Sequence, residues 1–225
     1  MDYLDAKLKP RLNVLQPDQL EDVYSAALEV LEHTGIKITH PGALELLDGC
    51  GARVDGNRVH IPDWLIKEAL RKAPSRVVLG TRNGERSLQL ERNRTYFGSS
   101  LDCLDYLEPF TSERREFRLE DCRTLAKMLN AMGNYSWGMT FGCAKDVPPD
   151  LADRMVLKAA MTHCEKPMVF CCKDFNSLKD IYEMAILISG GEKNFFKAPT
   201  LALLTDPISP LVLSDDTVEI GRAHV

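Results

Sequence analysis

From Thr95 onward, short β-prone segments alternate with amphipathic stripes of helical length, and this alternation limits the open folds more than any other feature of the chain. The order is YFGSS, a helix over 118–132, YSWGMTFG, a helix over 149–163, PMVFCCK, a helix over 177–189, then NFFKAPTLALL. The first stripe carries Leu119, Cys122, Leu125, Ala126 and Leu129. The second carries Leu151, Met155, Ala159 and Ala160, and the third Leu178, Ile181, Tyr182, Ala185 and Ile188. Apolar groups at that spacing bury one helix face and leave the other wet. Strands separated by such helices form βαβ units, which build parallel sheets. Two architectures remain, a doubly wound sheet and a (β/α)8 barrel. No G-x-G-x-x-G follows a strand candidate, and no G-x-x-x-x-G-K-[ST] occurs, so nothing marks a dinucleotide or phosphate loop. Four strand–helix units make half a barrel.

The residues before Thr95 read differently. A helical stripe over 18–33 (Leu20, Val23, Tyr24, Ala27, Leu28, Leu31) stops near Gly35. A shorter helix begins at Pro41, where a missing N–H is harmless. GARVDGNRVHIP has the turn Asp55-Gly56-Asn57 between apolar strands and reads as a hairpin. Pro62 opens another helix, and VVLGTRNG and RSLQLERN read as two more short strands. The expectation is an α/β chain: residues 1–94 form a small α+β N-terminal region, and 95–219 form the first four βα units of an incomplete TIM barrel. The last residues match one reading frame of a common sequencing adapter, Glu-Ile-Gly-Arg-Ala-His-Val. Residues 220–225 are therefore expected to be a foreign tail at a truncated end, and His224 to have no function.

Composition excludes several classes. The net charge of -5 argues against a nucleic-acid binder, and Arg114-Arg115 are balanced by Glu113 and Glu116. The N-terminus MDYLDAKLKPRLNVLQPDQL is no secretory signal, and no apolar stretch can span a bilayer, so the cytoplasm is expected with no membrane contact. Seven cysteines at irregular spacing do not make a disulfide framework. The histidines show no zinc spacing, so no metal site is expected. G-x-S-x-G is absent, which leaves a serine hydrolase unsupported.

In a barrel, function collects at the C-terminal ends of the strands. The candidates are Gly98, Ser99, Ser100 and Asp102 after the first strand, then Phe141, Gly142, Cys143 and Asp146 after the second. Cys171, Cys172 and Lys173 close the third; Thr205, Asp206, Ser209 and Pro210 follow the fourth. Each also has a structural reading. Gly98 permits a tight turn, Asp146 caps the helix after Pro148-Pro149, and Asp206-Pro207 is a turn pair. Cys172 is a packed core residue, and Lys173 is solvated or paired with Asp146 or Asp206. Trp137, Phe141, Phe170, Phe195 and Phe196 could line a pocket for a quaternary ammonium group, since ring faces attract cations. Core packing is the simpler account of them.

The segments YFGSSLDCLDYLEPFTSERREFRLEDCRTLAKMLNAMGN, DVPPDLADR, EKPMVFCCKD and LTDPISPLVLSDD, with TGIKITHPGALELLDGCGARVDGNRVHIP upstream, resemble the trimethylamine methyltransferase family. The resemblance implies a (β/α)8 barrel with an N-terminal addition. It implies transfer of a methyl group from a methylated amine to the Co(I) form of a corrinoid held by a partner corrinoid protein. Some members carry pyrrolysine and use trimethylamine; more numerous members lack it and are associated with quaternary amines such as glycine betaine. The position that separates the two classes falls in the C-terminal half of such proteins. From their position in polar, turn-rich loops at strand C-termini, Asp102 and Asp206 are the expected catalytic carboxylates. Gly98, Ser99, Ser100, Gly142, Cys143, Asp146, Cys172, Lys173 and Ser209 are the expected loop residues facing substrate and corrinoid. No cofactor is expected to be bound by the chain itself, and a homo-oligomer is compatible with the pattern. Two alternatives stay open. One is another barrel enzyme of lyase or aldolase type with Lys173 as a Schiff-base lysine. The other is a non-catalytic fragment that binds a corrinoid protein.

Overall fold

Prolines and small turns set most of the early boundaries. In the computed structural model, which describes residues 14–84, 87–91 and 94–222, α1 (Pro17–Glu29) starts at a proline and runs into a π turn over Val30–Thr34. β1 (Ile36–Ile38) follows, then α2 (Pro41–Gly49), whose first turn is closed by His40 Nδ1 accepting from Ala43 N–H at 3.2 Å. The hairpin expected around Gly56 is β2 (Arg53–Asp55) and β3 (Arg58–His60), paired antiparallel with Val54 opposite Val59. α3 (Asp63–Lys72) follows Pro62. β3 also pairs antiparallel with β1, and the late segment Val212–Leu213 joins β1 in parallel. The result is a four-stranded mixed sheet. These elements form the first of two compact units: the described residues up to Ala73 together with Ser209–Leu213. Of the α1 stripe, only Leu28 is buried, and Leu20 and Val23 are more than half exposed.

The second unit takes Pro74–Ile208 and the described residues from Ser214 on. Its first piece is the antiparallel hairpin β4 (Val77–Gly80) and β5 (Ser87–Leu90). The sequence reading groups this hairpin with the N-terminal region, but its backbone is tied to later residues, Gly80 N–H to Pro199 O and Arg82 N–H to Glu165 O, both at 2.8 Å. Arg86, Arg92 and Asn93 of the expected strands lie outside the described residues. A second hairpin, β6 (Asp105–Leu107) with β7 (Arg114–Glu116), was not expected from the pattern. Its charged residues hide the strand signal: Arg115 forms a bidentate pair with Asp121 (2.7 Å to each oxygen), reaches Glu108 at 2.6 Å and lies 4.7 Å from the Tyr106 ring centre.

Then the helices follow: α4 (Leu119–Ala131), α5 (Ala152–His163, entered through a 3-10 turn at Pro149–Leu151), and, after β8 (Met168–Phe170), α6 (Phe175–Ile188). The segment NFFKAPTLALL divides into α7 (Glu192–Lys197) and β9 (Leu201–Leu203). β10 (Val212–Leu213) is the strand that joins β1, and α8 (Asp215–Arg222) closes the described chain. α4 packs on α5 and α5 on α6. The stripes read from sequence form one core: Cys122, Ala126, Leu129, Leu157, Ala160, Ile181 and Ala185 are all buried. A fully buried side chain such as Leu157 or Ile181 contributes about 1.5–3 kcal/mol by leaving water. α8 includes the first residues of the suspected tail, and Ile220 is buried against this core. His224 lies outside the described residues.

β8 and β9 pair in parallel, Met168 opposite Leu201. Two of the expected strands are present only as isolated parallel bridges, Gly98 with Trp137, Gly138 with Met168 and Gly142 with Cys103. Left-handed residues interrupt both, Asp102 (φ 59°) and Phe141 (φ 65°), which ends the extended run soon after it starts. The fold is α/β, with mixed, antiparallel and parallel pairings interleaved with helices. Among the described residues there is no closed barrel, and no helix is long and apolar enough to cross a membrane.

Candidate active site

The parallel segments give the second unit a direction. Gly98, Trp137–Gly138, Met168–Phe170 and Leu201–Leu203 lie side by side in chain order. Hydrogen bonds run Ser136 N–H to Phe97 O (2.8 Å), Val169 N–H to Gly138 O (2.7 Å) and Leu204 N–H to Phe170 O (2.8 Å). Residues following these segments form a cavity of about 300 Å³ lined by Asp102, Thr140, Gly142, Cys143, Pro149, Ala152, Asp153, Val156, Cys171 and Lys173. Five sequence candidates from three separate loops therefore meet in one place: Asp102, Gly142, Cys143, Cys171 and Lys173.

Close packing holds the first two loops together. Phe141 N–H donates to Ser100 O at 3.2 Å, Cys103 N–H to Phe141 O at 3.2 Å, and Cys143 N–H to Cys103 O at 2.9 Å. Ser99 Oγ accepts from Met139 N–H at 2.8 Å, while Ser100 Oγ reaches only Leu101 O at 3.5 Å. Both glycines here are required by proximity. A Cβ on Gly98 would stand 2.2 Å from the Trp137 indole, and one on Gly142 would stand 2.5 Å from Cys103 O. Gly98 thus serves a close approach of neighbouring segments rather than a tight turn.

Asp102 is exposed at the cavity wall. Its carboxylate accepts only the Cys143 thiol, at 3.8 Å, and among the described residues it forms no ion pair. Asp153, which the sequence reading did not select, is the most engaged acid of the cavity. It accepts from Arg154 N–H at 2.7 Å and Lys173 N–H at 3.1 Å, and Arg154 Nη1 stands 3.6 Å away. An aspartate in the first turn of a helix is an ordinary dipole partner, so nothing in the sequence singled it out. Burial, with the Asp102 charge beside it, pushes the Cys143 thiol up. Burial also raises Cys171, helped by the charges of Asp102 and Asp206. Cys172 is pushed up to about 12, chiefly by burial and then by Asp153. All three sulfurs stay protonated at neutral pH.

The remaining candidates separate from the cavity. Cys172 packs against the core, and its neighbour Cys171 takes the cavity position. Asp146 is a cap, though of an earlier helix than expected: its Oδ1 accepts from Leu119 N–H at 2.9 Å, opening α4. Asp206 is exposed and acts on the site only through its charge on Cys171. Ser209 belongs to the first compact unit. Lys173 pairs with Asp150 rather than with Asp146 or Asp206, and this pair raises the lysine above its ordinary value. A Schiff-base lysine needs the opposite shift. Phe141, Phe170 and Phe195 are buried in the core, and among the described residues no aromatic ring lines the cavity.

The profile of the family described as trimethylamine methyltransferase (MTTB) matches residues 4–224. The chain belongs to this family. It is 27% identical over 205 residues to the trimethylamine methyltransferase MttB of Desulfitobacterium hafniense (strain DSM 10664 / DCB-2), covering 90% of this chain and 41% of that protein. It is 26% identical to the glycine betaine methyltransferase of Desulfitobacterium hafniense (strain Y51), covering 91% of this chain and 43% of that protein. The trimethylamine methyltransferase MttB of Methanosarcina barkeri is 26% identical, with 93% of this chain and 44% of that protein covered. The chain thus spans less than half the length of these curated relatives. The match runs through the residues that resemble an adapter.

Proposed function

We propose that the complete protein containing this chain transfers a methyl group from a methylated amine to a reduced corrinoid carried by a separate protein. In this reading the chain supplies the N-terminal half of a (β/α)8 barrel. The side-by-side parallel segments with helices between them are what a barrel sector would contain, which supports it. The observation that carries the proposal is Asp102, a carboxylate without an ion partner among the described residues, on a small cavity at the C-terminal ends of those segments, in a chain of this family.

The chemistry suits the cavity. A quaternary ammonium group is already charged and departs as a neutral tertiary amine, so the protein supplies no proton. It has to attract the cation, hold it in line and keep water away. Asp102 provides the attraction. The apolar side chains of Pro149, Ala152 and Val156 limit water on one wall. A cavity of about 300 Å³ is at the small end of ligand sites and fits a betaine-sized amine. A corrin macrocycle is far too large to enter it, so it would reach the mouth of the cavity only from outside, on its own carrier protein. When so presented and reduced, the corrinoid supplies the nucleophile. Asp206, beyond the rim, would add to the negative potential that draws the cation in.

Glycine betaine is the first substrate to test and trimethylamine the second. The relatives include enzymes named for each, at nearly equal identity. The assay is the visible spectrum of the reduced partner corrinoid, which changes on methylation, with glycine betaine, proline betaine, carnitine, choline and trimethylamine offered in turn. Conversion with a quaternary amine and not with trimethylamine is expected. No conversion with any of them, from a folded complete protein and a competent reduced partner, overturns the proposal.

A further inference from the structure

We propose that Cys143 is a positioning residue: its thiol holds the Asp102 carboxylate against the cavity wall so that the second carboxylate oxygen faces a cationic substrate. The proposal rests on the methyl-transfer reading above for the nature of that substrate, and on geometry for the pairing itself.

The two residues sit on different loops, and the backbone leaves neither free to drift. Cys103 and Gly142 form a parallel bridge, Cys143 N–H is bonded to Cys103 O at 2.9 Å, and Cys103 N–H to Phe141 O at 3.2 Å. Asp102 precedes this ladder at φ 59° and Phe141 enters it at φ 65°, so each loop turns sharply where they meet. The absence of room for a Cβ at Gly142, 2.5 Å from Cys103 O and 2.7 Å from the Phe117 ring, locks the register. The side chains of 102 and 143 are thereby brought to one wall, Sγ to Oδ1 at 3.8 Å. A thiol is a weak donor. It orients a carboxylate without neutralising it, whereas a lysine or arginine here would cancel the charge that the cation needs. Burial and Asp102 keep the sulfur protonated, so it remains a donor. The other cation on this wall, Lys173, is occupied by Asp150 and does not compete.

The test uses the complete protein and tetramethylammonium chloride as the binding probe, by calorimetry without corrinoid protein, so that binding is read apart from turnover. Cys143→Ala should weaken binding about three- to tenfold, the scale of one lost weak hydrogen bond to a charged group. Cys143→Ser should recover most of that loss, because a hydroxyl donates from the same place. In the methyl-transfer assay Cys143→Ala should raise KM by a similar factor and leave kcat within about twofold, the pattern of lost ground-state binding. The S–H infrared stretch of Cys143 should move to higher frequency in Asp102→Asn; this readout does not depend on whether Cys143→Ala folds. Unchanged tetramethylammonium affinity in a folded Cys143→Ala, equal loss in Cys143→Ser, an S–H stretch indifferent to Asp102→Asn, or no tetramethylammonium binding by the wild type would each overturn the proposal. If the thiol pattern holds and no amine is demethylated, the methyl-transfer reading fails and the positioning pair stands. If methyl transfer proceeds and Cys143→Ala has no effect, the reverse applies.

Discussion

The second unit has a depression at each end of its parallel segments, and the larger one is the less promising. The cleft at the N-terminal ends, about 590 Å³, is lined by residues that include Tyr96, Asn130, Tyr135, Glu165 and Lys166. Its charged and amide groups are already committed. Lys166 Nζ donates to Leu129 O and Met132 O, both at 2.6 Å, and so closes the C-terminal end of α4. Asn130 Oδ1 accepts from Glu165 N–H at 2.9 Å, and Asn83 Nδ2 donates to Glu165 Oε2 at 3.0 Å. The cavity at the other end is about half that size, yet it contains an acid whose only hydrogen bond among the described residues is from a thiol. Volume measures space, whereas an uncommitted charge measures what is left to act on a ligand. On the half-barrel reading proposed above, the contrast would match the division in barrels between a stabilising N-terminal face and a functional C-terminal face.

Asp102→Ala in the complete protein should break the comparison most sharply if it is wrong. Methyl transfer should fall about 100-fold, as when one preorganised electrostatic group is removed, with the melting temperature within about 2 °C of wild type. Equal loss of fold and activity would assign Asp102 to the scaffold.

Lys166→Met at the opposite end should do the converse. It removes two bonds to the last carbonyls of α4 and should cost about 1–2 kcal/mol in denaturant unfolding. Methyl transfer by the protein that remains folded should stay within about twofold. A large drop in kcat would make the N-terminal cleft functional after all.

The Arg115–Asp121 pair, which ties the β6–β7 hairpin to α4, offers a pH test. Arg115 holds the Asp121 carboxyl below its ordinary value, with burial opposing and the Arg118 N–H helping. A depressed carboxylate stabilises the fold above its unfolded pKa, about 3.9, and loses that contribution as pH falls through the folded value. The difference in melting temperature between wild type and Asp121→Asn should therefore be full at pH 6 and shrink below about pH 4. A difference that does not vary with pH would point to packing.

The smallest effect is expected at Lys173. Lys173→Met should leave the melting temperature unchanged, because the pair with Asp150 is exposed. Borohydride with a carbonyl compound should trap no adduct on Lys173 in the wild type, since Asp150 raises its pKa and keeps it charged. A trapped adduct would revive the lyase or aldolase alternative.

Periodicity made the helices of both units legible. The stripes over 118–132, 149–163 and 177–189 became α4, α5 and α6, because an apolar face repeating every three to four residues has one low-energy way to leave water. The turn at Gly56 was legible for a similar local reason. The β6–β7 hairpin was not, since Arg114 and Arg115 are stabilised by partners at Asp105, Glu108 and Asp121 that no strand pattern announces. YFGSS and YSWGMTFG have the pattern of full strands and contribute only isolated bridges, at Gly98 in the first and at Trp137, Gly138 and Gly142 in the second. NFFKAPTLALL was read as one strand and divides at Ala198.

The sequence by itself determined the alternation of elements, the family, and the loops that bear the candidate site. Each of these is written in local spacing or in residue identity. Only the tertiary structure decided which loop residues meet. It put Cys171 rather than Cys172 on the cavity, turned Asp146 into the cap of α4, drew Lys173 to Asp150, and added Asp153. It also left Asp102 with a thiol and, among the described residues, no cation. Partners far apart in the chain are selected by the geometry of the parallel ladder and by the close approach at Gly98 and Gly142, and a carboxylate's availability depends on which charges that geometry brings within reach of it.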